Sequence, residues 1–275
     1  MNKKNCKTIA FALAKGGTTK TTSTINIGAA LAGQGYRVAV VDNDPQSNLT
    51  TALGYQPKTI SYTLATKMMN TLDKADGIPV HDCMLHCNTF DLLPSNQKLT
   101  VVEKRLTVES KSSLFADEDD LPAELVMRKT LEPLREQYDF ILIDCPPSTG
   151  LLTVNAMAAS DSILIPMEAH FLGLDAISQT LELINRVKAQ LNPSLTVEGI
   201  LLTKYQDRTT LCRTTRNEVQ EEYGEMLHVF SEPIAYSIKA AEQAVLGKSI
   251  FETEPHSRIA EGYMAAAREV ISNAS

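Results

Sequence analysis

No apolar stretch in this 275-residue chain approaches the ~18 residues of a membrane-spanning helix, so none is expected. Positive charge is in deficit: the formal net charge is −7. That excludes bulk attraction to a polyanion. Any contact with nucleic acid must come from a local basic patch. Cysteine is sparse and odd in number, at Cys6, Cys83, Cys87, Cys145 and Cys212. A chain this long needs no disulfide staples, so reduced thiols in a cytoplasmic protein are expected. There is no long Pro/Gly tract and no internal repeat. The N-terminus is basic through Lys3, Lys4 and Lys7, but the apolar run Thr8 to Ala14 that follows is short and enters a glycine-rich loop. It reads as a first strand rather than a signal peptide.

What remains is ordinary globular composition, 43% hydrophobic and 21% charged, enough for a sizeable core. One domain spanning 1–275 is the expectation. Apolar runs and amphipathic stretches alternate along it. Strands are read at Thr8–Leu13, Arg37–Val41, Phe90–Leu93, Tyr138–Ile143, Ser162–Ile165 and Val197–Leu202. Helices are read over Ser23–Gly33, over Leu121–Gln137 with Asp120 as N-cap and Pro133 as a kink, over Leu174–Leu191, and around Ile259–Val270. Near-continuous apolar strands between helices predict an α/β fold, a three-layer, doubly wound, mostly parallel sheet with helices on both faces. The least patterned part is about 60–125, where insertions are expected. The acidic run Asp117–Asp120 reads as a solvated loop.

The informative segment is Ala14-Lys15-Gly16-Gly17-Thr18-Thr19-Lys20-Thr21-Thr22, set between a strand and a helix. In that setting the backbone N–H groups of a P-loop form a nest for phosphate oxygens, aided by the helix dipole. Lys20 would reach the β- and γ-phosphates, Thr21 would offer its hydroxyl to Mg²⁺, and Thr22 could bond the α-phosphate. The strict pattern G-x-x-x-x-G-K-[ST] fails at Ala14 and Thr19, so a glycine-rich turn without a ligand is the competing reading. Two acidic strand ends tilt the balance. Val38–Val41 leads into Asp42-Asn43-Asp44-Pro45, and Phe140–Ile143 leads into Asp144-Cys145-Pro146-Pro147. Carboxylates at the carboxyl ends of buried parallel strands line the ligand crevice. Asp144 suits a Walker B carboxylate that holds Mg²⁺ through water. Asp42 lies deeper and would serve the loop or the metal shell.

Taken together, these segments resemble the ParA family of DNA-partition ATPases within the ParA/MinD group. The loop is similar to the deviant Walker motif K-G-G-x-G-K-T-[ST]. Asp42–Thr50 is similar to D-x-D-P-Q-x-N-L-T, and Asp91–Asn96 to D-L-L-P-[AS]-N. Ile163–Pro166, Gly199–Thr203, Glu242 and Gly247–Ile250 also fit. The resemblance implies ATP and Mg²⁺ as ligands, with Lys15, Gly16, Gly17, Thr18, Thr19, Lys20, Thr21 and Thr22 around the nucleotide and Thr21 and Asp144 at the metal. It implies catalytic roles for Lys15, Lys20, Asp44 and Asp144, with Asp44 orienting the attacking water. It also implies an ATP-dependent sandwich homodimer in which Lys15 reaches the partner's nucleotide.

As such a dimer the protein would bind DNA non-specifically through Arg208, Arg213 and Arg216, associate with the nucleoid, and respond to a ParB-like stimulating protein. The competing reading of those arginines is a solvated helix face. No helix-turn-helix precedes the loop, which argues against sequence-specific operator binding. Three positions depart from the family: Thr19 and Ser47 stand where it carries glycine, and Ile234-Ala235 where it carries Ile-Pro near adenine. A β-branched Thr19 is ill suited to positive φ. Slow ATP turnover, relieved by Thr19→Gly, is therefore expected; the alternative is a nucleotide-dependent binding module with little hydrolysis. The cluster His81–Cys87 is too tightly spaced for a zinc site. The C-terminal helix lacks the basic face of a membrane anchor.

Overall fold

The computed structural model describes residues 6–17, 19–75, 77–112, 121–169, 174–237 and 247–274. Seven strands form one sheet: β1 (Lys7–Phe11), β2 (Val38–Asp42), β3 (Leu85–His86), β4 (Asp91–Leu93), β5 (Phe140–Asp144), β6 (Ser162–Glu168) and β7 (Thr196–Thr203). Their spatial order is β3-β4-β2-β5-β1-β6-β7. Every neighbouring pair is parallel except the edge pair β3 and β4. The helices are α1 (Lys20–Gly33), α2 (Asn48–Ala52), α3 (Leu64–Leu72), α4 (Leu99–Ser112), α5 (Val126–Leu131), α6 (Leu151–Ala159), α7 (Leu174–Gln190), α8 (Thr210–Tyr223), α9 (Ile250–Thr253) and α10 (Arg258–Ser272).

The period-two pleat sorts the strand side chains into two cores. Ile9, Phe11, Val40, Phe140, Leu142 and Leu164 face one side, where they pack with α1, α2, α9 and α10. Ala10, Val41, Ile141, Ile143, Ile163 and Ile165 face the other, where α3 to α8 cover them. Both faces are buried, which is why the strands read as continuous apolar runs. Helix α1 lies close on its face because of Gly28: a Cβ there would meet Val40 Cγ2 at 3.2 Å and Leu142 Cδ1 and Phe90 Cδ1 at 3.5 Å. The C-terminal helix α10 packs on α1, burying Tyr263, Ala267 and Val270, as its apolar spacing predicts.

From β1 the chain passes through α1 to β2, skipping the slot that β5 fills; from β5 it passes through α6 to β6, on the far side of β1. The connections leaving β1 and β5 thus diverge, and a crevice opens at their carboxyl ends. One expectation needs correction. The helix read over Leu121–Gln137 is a 3₁₀ turn at Ala123–Leu125, then α5, then a second 3₁₀ stretch at Glu132–Glu136. Pro133 cannot donate the α-helical bond, so the tighter turn takes over. The described part of 60–125, expected to hold insertions, carries α3, β3, β4 and α4, with Leu64, Met68, Leu99 and Leu106 in the core. Thr18, Asp117–Asp120 and Glu242 fall outside the described residues.

Candidate nucleotide and metal site

Strand β1 delivers the chain to the crevice and the loop turns it into α1. Gly17 has φ 74° and Thr19 has φ 61° and ψ 16°, so the position expected to suffer from a β-branched side chain is indeed left-handed. The first helical hydrogen bond runs from Ser23 N–H to Thr19 C=O at 2.8 Å. The N–H groups of the first turn therefore have no acceptors within the helix, the arrangement in which helix N-termini take anions. Lys20 is buried. Its ammonium donates to Leu13 O at 3.2 Å and to Lys15 O at 2.8 Å, which folds it over the loop. Burial lowers its pKa, and attraction to Asp144 opposes that shift.

Thr21 Oγ1 donates to Asp144 Oδ2 at 2.7 Å. Asp144 is fully buried, and its Oδ1 has no hydrogen-bond partner. Desolvation, then repulsion from Asp42, raises its pKa well above the usual carboxylate range. A hydroxyl beside a buried carboxylate with one oxygen unsatisfied fits a hard divalent cation, which takes few protein oxygens and completes its shell with water and phosphate.

Asp42 pairs in register with Asp144 across β2 and β5. Both its oxygens are occupied by the loop that follows. Oδ1 accepts from Asp44 N at 3.1 Å; Oδ2 accepts from Thr50 N at 2.8 Å and Thr50 Oγ1 at 2.6 Å. Thr50 Oγ1 in turn accepts from Ser95 N at 3.0 Å, and Ser95 Oγ donates to Asp44 O at 2.8 Å. A closed ring of bonds thus fixes the backbone of Asp44. These bonds of Asp42 serve the segment after β2 rather than the phosphate loop. Burial pushes its carboxyl up to about 6. Asp44 Oδ1 accepts from Gln46 N at 2.8 Å. Ser47, like Thr19, sits at positive φ, 57°.

Gly16, Gly17, Thr19, Lys20, Thr21, Thr22 and Asp44 line one cavity of about 330 Å³, closed by Asn48, Cys145, Pro147 and Lys204. Two larger hollows of about 530 Å³ lie elsewhere, one around Arg135 and Asp161 and one around Tyr55 and Lys98. Neither has a phosphate nest, so volume alone does not identify the site. Four non-glycine residues among those described have positive φ; Thr19 and Lys204 line this cavity, and Ser47 lines the hollow around Tyr55 and Lys98. Strain of this kind concentrates at binding sites.

Lys15 is half-buried at the loop's mouth, with its N–H bonded to Leu13 O at 2.7 Å. Arg208, Arg213 and Arg216 are exposed, the last two one turn apart on α8. Arg216 also donates to Ser231 O at 3.0 Å and lies 5.9 Å over the Tyr205 ring. Sequence reasoning missed the roles of Thr50 and Ser95, which depend on strand register, and those of Thr203 and Lys204 at the end of β7. Among the described residues no group of three His, Cys, Asp or Glu side chains is placed to hold a metal ion. No helix of the described residues is long and apolar enough to cross a membrane.

Comparison with known proteins agrees with this geometry. The AAA domain model (AAA_31) matches residues 6–197. The sporulation initiation inhibitor protein Soj of Bacillus subtilis is 34% identical over 97% of this chain and 99% of its own. The chromosome partitioning protein ParA of Caulobacter vibrioides is 33% identical over 97% and 94%. Among solved structures, cobyrinic acid a,c-diamide synthase from Mycobacterium smegmatis, with bound ADP and magnesium, superposes with TM-score 0.80 at 28% identity, covering 98% of this chain and 95% of that one. The MinD protein of Pyrococcus horikoshii shares the fold, with TM-score 0.72 at 21% identity over 98% of each chain. The chain belongs to the AAA domain family, within the ParA/MinD group of P-loop NTPases.

Proposed function

We propose that this chain is a single-domain partition ATPase. It binds ATP with Mg²⁺, closes into a homodimer around the nucleotides, and as a dimer holds DNA without sequence preference. A ParB-like protein then stimulates hydrolysis and releases it. The cargo is a plasmid, a chromosome or a mobile element. The protein works in the cytoplasm, on the nucleoid when ATP is bound.

The observation that carries this reading is the Thr21–Asp144 pair, with its unsatisfied carboxylate oxygen, beside a left-handed glycine-rich loop. When bound, Mg²⁺ would neutralise charge on the phosphate oxygens. The protein's own part is positional. Lys20 leaves its two carbonyl acceptors to meet the β- and γ-phosphates, and Thr22 meets the α-phosphate. The ring through Asp42, Thr50 and Ser95 holds Asp44 where it can orient water. Lys15 serves the partner's nucleotide, neutralising charge that develops during transfer.

The test is DNA binding with and without ATP and Mg²⁺, read alongside oligomer mass. Dimers that bind random-sequence duplex only with both ligands present are expected. DNA binding that ignores nucleotide would overturn the reading. A second reading, a nucleotide-dependent binding module with little turnover, is favoured by the left-handed Thr19. It predicts ATP-dependent dimers whose DNA affinity outlasts hours of incubation.

A further inference from the structure

The end of β7 grips the phosphate loop at two points. Thr19 Oγ1 donates to Thr203 Oγ1 at 2.7 Å, and Thr203 Oγ1 donates on to Met167 O at 3.0 Å. Thr203 is buried, so both its donor and its acceptor capacity are used inside the protein. The next residue, Lys204, takes φ 51°, pairs with Glu168, and brings its ammonium to 3.5 Å from Gly17 O. A glycine at position 19 would have no side chain with which to make the first of these contacts. The chain runs from the loop, through two hydroxyls, to the backbone of β6.

We infer that Thr203 is a positioning residue for nucleotide binding, one that makes threonine serviceable at position 19. Its hydroxyl holds the Thr19 side chain, and so holds residue 19 in the left-handed conformation from which α1 starts. The direction of the first-turn N–H groups and of Lys20 and Thr21 follows from that start. In a loop with glycine there, backbone freedom does the same task and Thr203 keeps only its bond to Met167 O. The two residues are therefore coupled, and their coupling is a property of this chain's departure from the glycine pattern. The inference rests on the nucleotide-binding reading of the cavity.

A double-mutant cycle tests it. Thr203→Val keeps the shape and removes the hydroxyl; Thr203→Ser keeps the hydroxyl and controls for packing. Each is made with Thr19 and with Thr19→Gly. Affinity is read by titration with fluorescent ADP and Mg²⁺, and loop order by amide exchange of residues 15–22 in nucleotide-free protein. Thr203→Val should weaken binding about fivefold beside Thr19 and hardly at all beside Gly, as expected for one hydrogen bond. Loop exchange should quicken only in the first case, and Thr203→Ser should match the parent. Equal effects in both backgrounds, or none in either, would overturn the inference. If the parent binds no nucleotide, it is the functional reading that fails, and the exchange measurements still decide the coupling.

Discussion

At the scale of single residues, the tension is concentrated at Thr19. A left-handed β-branched residue costs about 1–2 kcal/mol, and its hydroxyl bond to Thr203 returns about 1 kcal/mol. Substitutions at position 19 should therefore rank. Thr19→Gly removes the strain and loses the bond, so affinity or turnover should rise, but modestly. Thr19→Ala keeps the strain and loses the bond, so nucleotide affinity should fall by about 1 kcal/mol, roughly fivefold. Titration of the three proteins with fluorescent ADP decides. An alanine variant equal to the parent would mean that the hydroxyl contributes nothing. The loop, both strand-end carboxylates and the doubtful Thr19 were legible in the sequence, because each is a local pattern of residue types. Thr203 was not, since it stands 184 positions away and meets Thr19 only once β6 and β7 are in register.

Among the elements, the segment after β2 depends on a buried charge. Asp42 holds Asp44 and Thr50, yet its carboxyl is pushed up to about 6 from an ordinary value of 3.8. The sign follows from linkage. The folded state binds a proton that the unfolded state has released between those two values. Stability from this group is full below pH ~4 and is lost as pH rises through about 6. Nucleotide-free protein should thus gain about 1 kcal/mol on going from pH 7 to pH 5, relative to Asp42→Asn, which does not titrate. Asp144, raised in part by Asp42, adds to the same sign. Urea denaturation at the two pH values measures it, and a difference independent of pH would show that the bonds from Thr50 and Asp44 fully compensate the charge. Gly28 is the second element-scale device. Gly28→Val would drive side-chain carbons into Val40 and Leu142, lift α1, and cost ~1–3 kcal/mol. Nucleotide affinity should fall with it, because α1 carries Lys20 and Thr21; a destabilised protein with parental affinity would separate the helix seat from the site. The strands and the longest helices were legible from period and apolar content. Helices α3 and α4 were obscured because the stretch around them mixes short elements, and β3, with two residues, carries no period at all.

For the whole molecule the question is how a chain of net charge −7 would hold DNA, as proposed above. The overall field opposes the approach of a polyanion, so attraction must act within the ~8 Å Debye length at physiological salt. Arg213 and Arg216 meet that requirement, exposed one turn apart on α8, with Arg208 in the preceding turn. Their contacts would be to phosphates, so affinity should fall steeply with salt and depend little on sequence. Anisotropy of a random-sequence duplex, with ATP and Mg²⁺ and over a range of salt, measures both. Arg213→Ala should weaken binding to all sequences alike and reduce the slope of log affinity against log salt by about one for each arginine removed. Arg213→Glu with Arg216→Glu should abolish DNA binding while leaving nucleotide affinity at the parental value, because the cavity residues are on other elements. Arg216 also ties α8 to Ser231, so Arg213→Ala is the cleaner variant. An unchanged salt slope in Arg213→Ala would remove this face of α8 from the DNA interface and return those arginines to the solvated surface.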